Sequence, residues 1–164
     1  MRRSPTRRRF LGGVGAAWLL AGRPGVAAEV EALPAIDDLR ELGAQSRREG
    51  RPLLLFFSLP GCPHCFDVRR NYLAPRLAQG SASGVIVREI DITSPRMIAG
   101  LDGTPVSAAD LARRFNVRIA PVVILADGDL HPLAEPLVGI DRSGFYEGYL
   151  GAAIDSARAR LARQ

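Results

Sequence analysis

The sequence predicts an α/β domain, with a mixed central sheet of about four to five strands and helices on both faces. Three observations predict it. Apolar runs at residues 53–58 and 122–125 are short and dominated by Leu, Val, Ile and Phe, the composition of strands buried on both faces. The segments between them carry apolar residues at helical spacing, so strands and helices alternate along the chain. After the second run, Asp127-Gly128 signals a hairpin, so that the sheet is mixed.

In chain order, residues 1–28 read as a targeting segment. Five arginines fall in the first nine positions, and residues 10–21 are a short apolar stretch loosened by Gly12, Gly13 and Gly15. Val26-Ala27-Ala28 offers a signal peptidase small residues, which puts the mature start near Glu29. Thr6-Arg7-Arg8-Arg9-Phe10-Leu11 resembles the twin-arginine export pattern. The apolar stretch falls short of the roughly 20 residues that a spanning helix needs, so the expectation is cleavage and release rather than a membrane anchor. The expected location is the periplasm.

Residues 29–50 are expected to form an amphipathic helix, with Ile36, Leu39 and Leu42 on one face and Gly50 as its stop. Residues 53–58 form the first strand. Residues 65–79 read as a helix that Pro75 should kink or divide near Leu73. A small-residue loop (80–84) leads to a second strand at 85–92. Residues 95–104 read as a loop or short helix with a turn at Asp102-Gly103. Ser107 is a good cap for a helix over 108–115, with Asp110 placed to reciprocate. Pro121 heads the apolar strand that follows, a position a strand tolerates. Residues 130–140 supply the hairpin partner, ending at Val138-Gly139. A last amphipathic helix from residue 142 carries Phe145, Leu150, Ile154 and Leu161.

Charge and composition narrow the function. All 22 basic residues are arginine, which excludes lysine Schiff-base or general-base chemistry. Six of them, and no acid, lie in residues 1–28; the remaining chain carries a formal charge of −1. A near-neutral body does not look like a nucleic-acid binder, which would need a basic face for phosphate contacts.

The only two cysteines, Cys62 and Cys65, stand in Ser58-Leu59-Pro60-Gly61-Cys62-Pro63-His64-Cys65, where a strand ends and a helix begins. Pro63 suits the first helical position. The positive end of a helix stabilises a thiolate there, and a depressed thiol pKa makes a cysteine nucleophilic at neutral pH. Export adds an oxidising compartment, in which a disulfide persists. The pattern points to dithiol/disulfide redox chemistry. Two other classes fit the same residues: a Cu or Zn module using Cys62, Cys65 and His64, and a redox-inert adaptor. His131 reads as a solvated loop residue.

With these residues in place, the chain resembles the thioredoxin superfamily over about residues 50–162. The landmarks are strand, Cys62-Pro63-His64-Cys65 and helix, then Val117-Arg118-Ile119-Ala120-Pro121, then Val138-Gly139 before a final helix. The domains expected are a signal peptide at 1–28, an N-terminal helix at 29–50 and a thioredoxin-like domain at 51–164. The resemblance implies a redox-active Cys62–Cys65 disulfide with no further cofactor. It also implies a cis peptide before Pro121, which positions an extended substrate, with Ile119 and Ala120 flanking the groove. Implied partners are protein thiols and disulfides of the periplasm and a membrane redox protein, met by a monomer.

Pro63-His64 is the dipeptide of DsbA-type oxidants, in which the histidine favours the reduced form. The chain departs from that type: about 28 residues separate Asp91 from Ala120, too few for its inserted helical domain. Residues 29–50 are too short for the dimerisation domain of periplasmic isomerases. Gly61 stands where thioredoxin has tryptophan. Phe56 occupies the place of the family's buried acid, with Glu89 as a candidate substitute. Small exported thioredoxin-like proteins, including those accompanying sulfur-oxidation or cytochrome systems, are the nearest likeness. The direction of electron flow stays open.

Overall fold

In the computed structural model, which describes residues 32–141 and 143–164, the strand β1 (Leu53–Ser58) is buried at every position. The export reading of residues 1–28 lies outside the described residues. β1 runs parallel to β2 (Ile86–Asp91) and antiparallel to β5 (Val122–Ala126), and β6 (Leu137–Val138) adds to β5 antiparallel. The sheet order is therefore β2-β1-β5-β6, the expected mixed sheet.

The period of two along β1 divides the core. Leu53, Leu55 and Phe57 meet Leu39 and Leu42 of α1 (Leu39–Glu49) and Leu111 of α4 (Ala108–Arg114). Leu54 and Phe56 point the other way, to Cys65 and Val68 of α2 (Pro63–Val68) and Leu150 and Ile154 of α5 (Tyr146–Leu161). Fully burying side chains of this size stabilises by about 1.5–3 kcal/mol each. Among the described residues, no helix is long and apolar enough to cross a membrane.

Four element expectations need correction. The first helix begins at Leu39, where the Asp38 carboxylate caps the N–H groups of Arg40 and Glu41. The residues before it run extended: the Glu89 N–H donates to the Pro34 carbonyl at 2.8 Å, and Ala35 and Asp38 bridge to Glu89 and Ala99. Residues 95–104 are neither helix nor plain loop. β3 (Met97–Ala99) pairs antiparallel with β4 (Pro105–Ser107) in a small second sheet, turning where Asp102 accepts the Thr104 N–H and hydroxyl. The partner strand expected at 130–140 shrinks to a bridge at Pro132 and the two residues of β6, because Pro132 and Pro136 offer the ladder no donor. The last helix starts at Tyr146, so Phe145 lies at its cap and is 65% exposed, and buried Tyr146 joins Leu150 and Ile154 on the apolar face.

The outer edge of β2 is partly occupied. The Arg51 guanidinium (2.9 Å) and the Ser83 hydroxyl (3.3 Å) donate to the Val85 carbonyl just before β2, Arg88 donates to that of Val87 (2.8 Å), and the extended segment bridges to the strand at Glu89.

Two stability predictions follow from the turn after β5. The backbones of Gly43 in α1 and Gly128 touch: a Cβ on Gly43 would overlap the Gly128 carbonyl oxygen, and one on Gly128 would lie 2.6 Å from that of Gly43. Gly43→Ala favours an exposed helix by roughly 1 kcal/mol. Here it should instead destabilise by about 1–3 kcal/mol through overpacking, read by chemical denaturation.

In the same turn, Asp127 is buried and accepts the Asp129 and His131 N–H groups, both at 2.9 Å, while the exposed His131 ring lies 3.1 Å away. Burial raises the carboxyl pKa, but these donors outweigh it and hold it below the ordinary range. A depressed folded pKa stabilises at neutral pH and ceases to as pH falls through it, below about 4. Asp127→Asn should therefore be less stable than the parent at pH 7, with the gap closing towards pH 2 in urea unfolding.

Candidate active site

β1 delivers the chain to the rim of the sheet, and a tight turn converts it to a helix. Gly61 takes φ +68°, a conformation that costs glycine nothing. The Cys62 N–H reaches back to the Leu59 carbonyl at 3.4 Å. Cys62 is extended (φ −81°, ψ 111°) and is the N-cap of α2, with Pro63 following as the first helical residue. The Phe66 N–H donates to the Cys62 carbonyl at 3.0 Å, and the Cys65 N–H donates to Cys62 Sγ at 3.1 Å. The cysteine side chain thus caps a helix, as a serine or aspartate would.

Cys62 and Cys65 form a disulfide with Cα atoms 5.2 Å apart. Cys62 is half-buried, whereas Cys65 is wholly buried in the cluster with Phe56, Val68 and Leu73. After Val68 the helix passes through a π-helical turn (Arg69–Leu73) into α3 (Ala74–Ala78). Pro75 has no N–H for the carbonyl four residues back. The ladder slips there, and the Ala74 N–H bonds the Arg69 carbonyl five back. This is the division expected near Leu73.

The segment around Pro121 supplies the second half. The Ala120–Pro121 peptide is cis. The Gly139 N–H donates to the Pro121 carbonyl at 2.8 Å, next to the Val122–Val138 ladder pair. Ala120, Cys62, Leu137 and Ile140 each pack against the cluster that holds Cys65. Ile119 and Val138 stand 57% and 60% exposed, and Phe66 is 42% exposed. His64 is exposed on the first turn of α2. Phe57 pairs with Val122, so the turn that leads to Cys62 and the segment that ends at Pro121 lie at the same end of the sheet, with exposed apolar side chains on or next to both.

A polar network under this corner was only partly visible in the sequence. Val85, Val87 and Glu89 alternate onto the disulfide side of the sheet, where Glu89 lies beside Phe56 in register. Arg69 Nε donates to Glu89 Oε2 at 3.0 Å, and its Nη2 bonds Oε1, which also accepts the Ser58 hydroxyl at 2.6 Å. The Arg69 guanidinium carbon lies 5.8 Å from the centre of the Phe56 ring. A charged residue at a core-facing position of a strand is the signal that points to such a network; Ser58 and Arg69 carry none alone.

Among the described residues, no three His, Cys, Asp or Glu side chains come together as metal ligands. The two sulfurs that would hold a metal are bonded to each other.

No family model and no curated protein sequence matches the chain. Among solved structures, a thioredoxin-fold protein from Helicobacter pylori superposes with a TM-score of 0.50 at 17% identity, over 70% of this chain and 79% of its own. Fasciola hepatica thioredoxin follows at a TM-score of 0.49 and 15% identity, over 75% and 97%. The first of these likenesses and the strand order together establish a thioredoxin-like fold.

The difference in burial predicts unequal thiols. After reduction, iodoacetamide should modify Cys62 at least about tenfold faster than Cys65, since an inward-facing thiol is protected and its ionisation disfavoured. Peptide mapping after a short labelling pulse measures the ratio.

Proposed function

We propose that this chain is a thiol:disulfide oxidoreductase that exchanges the Cys62–Cys65 disulfide with cysteines of partner proteins. The observation that carries the reading is the asymmetry of the pair. One sulfur is partly exposed and receives a helix-terminal N–H at 3.1 Å, and the other is fully buried behind it.

In the reducing direction, the Cys62 thiolate attacks a substrate disulfide. A mixed Cys62–substrate disulfide forms, and the other substrate sulfur leaves as a thiolate. Cys65 then attacks Cys62 Sγ, restoring the intramolecular disulfide and releasing the second substrate sulfur. The oxidising direction is the same sequence reversed, through the same atoms. The fixed segment before Pro121 presents Ile119 and Ala120 to an extended substrate, and the exposed apolar side chains of Ile119 and Val138 favour an unfolded or extended partner segment.

The export leader read in residues 1–28 supports a periplasmic place of work. Its partners there are proteins with accessible cysteines, and a membrane redox protein renews the active state.

Cys65→Ala should accumulate a mixed disulfide through Cys62 in the exporting cell, resolved by non-reducing electrophoresis and abolished by Cys62→Ala. The purified parent should also catalyse insulin reduction by dithiothreitol or oxidation of a dithiol peptide. A parent inactive in both assays, with no adduct in Cys65→Ala, would sink the reading.

A further inference from the structure

Cys65 must lose its proton to resolve a mixed disulfide, yet it sits with no exposure in an apolar cluster. An unpaired thiolate is costly in such surroundings. Charged and titratable groups stand on the segments around it. Its own helical segment presents His64, which is exposed, Asp67, which is half-buried, Tyr72 and Arg69; β2 presents Glu89. α5 presents Tyr146, whose phenol burial holds far above its ordinary pKa and hence neutral. β1 and β5 contribute apolar side chains and the Ser58 hydroxyl.

Two arginines of this run are largely buried, Arg69 and Arg76, and Arg76 stands eleven residues beyond Cys65, held by Glu147 and the Tyr72 carbonyl; the neighbouring Arg70 is exposed, its guanidinium carbon 6.0 Å from the centre of the Phe66 ring. Arg69 stands four residues after Cys65, with its N–H bonded to the Cys65 carbonyl. Side chains so spaced on a helix have Cβ atoms about 5–6 Å apart. Long helical side chains lean towards the N-terminus, here towards Cys65. Glu89 and Ser58 fix the guanidinium over Phe56, which shares the cluster with Cys65.

We propose that Arg69, oriented by Glu89 and Ser58, is the counter-charge for the Cys65 thiolate that resolves the mixed disulfide. The proposal rests on the exchange reading above. In the step concerned, the Cys65 proton passes to solvent and the thiolate attacks Cys62 Sγ. The Cys62–substrate S–S bond breaks as the Cys62–Cys65 bond forms. Cys65 sulfur is oxidised, and the substrate sulfur leaves with the electron pair, reduced. In the resting disulfide, Glu89 neutralises Arg69, so that no uncompensated charge is buried. The five N–H donors of a guanidinium allow it to serve a second anion without leaving the first.

The proposal assigns opposite effects to the two partners of one ion pair. Reduced protein is mixed with dithiobis(nitrobenzoate), which releases one thionitrobenzoate as Cys62 attacks and a second as Cys65 resolves. Arg69→Met should slow the second release about tenfold at pH 7 and move its pH midpoint up by about one unit. The first release should keep its rate, and Arg69→Lys should restore much of the second. Glu89→Gln, which leaves Arg69 unneutralised, should move the midpoint down.

If the midpoint stays put in both variants, or both slow the second release alike and unfold at lower temperature, the ion pair is a structural clasp and the proposal is overturned. Should Arg69→Met not fold, Glu89→Gln decides: a lowered midpoint supports the proposal, and an unchanged or raised one overturns it. Absence of the first release in the parent would overturn the exchange reading instead.

Discussion

The complete burial of β1 is the constraint from which the site hangs. Each of its six residues is enclosed, by β2 and β5 along its sides and by helices over both faces. A strand held this way has no freedom of register, because a slip of one residue would exchange Leu54 and Phe56 for Leu55 and Phe57 on each face. Its last residue, Ser58, is therefore a fixed point at the rim. From there three residues, the last of them the left-handed Gly61, bring Cys62 to the start of α2. The Cys62 sulfur follows a loop, but the loop is too short to wander.

The same geometry makes the two cysteines unequal. Cys62 lies outside the helix as its cap, so its sulfur faces the free N–H groups of the first turn and the solvent. Cys65 is inside the helix, on the stripe that continues as Val68 and Leu73, and the sheet covers it. Two identical side chains thus acquire different accessibility from position alone. Disulfide exchange through a mixed intermediate uses that difference, with an attacking sulfur that meets the partner and a second that is shielded until needed.

Much of this was legible because it obeys local rules. An unbroken apolar run shows β1, a proline after a cysteine shows the start of α2, Pro75 shows the break, and Ser107 with Asp110 forms the reciprocal cap that the spacing announces. What could not be read depends on pairing between distant segments. Ile36, Leu39 and Leu42 are helically spaced, yet residues 33–38 are extended because β2 and β3 offer their edges to them. β3 and β4 have three residues each, too few for a period to register. At the site, the place of Cys62 was legible. That Glu89 would meet Arg69 was not, since it requires β2 to lie beside β1 in the register that puts Glu89 next to Phe56.

That register bears on why an ion pair should occupy a place where apolar side chains would serve stability as well. Taking two charges largely out of water costs several kcal/mol, and well-packed apolar residues of similar volume are often as good or better. A clasp between α2 and the sheet alone would not need charge, for Val68 and Leu73 already anchor the helix segment. Glu89 is a junction of a different kind. Its backbone N–H holds the extended segment at Pro34, and its carboxylate holds Arg69 one turn beyond Cys65 and Ser58 four residues before Cys62. The two groups it holds are thus tied in sequence to the two sulfurs. Apolar packing could supply the rigidity of that arrangement but not the counter-charge that the proposed exchange would ask of a buried thiol.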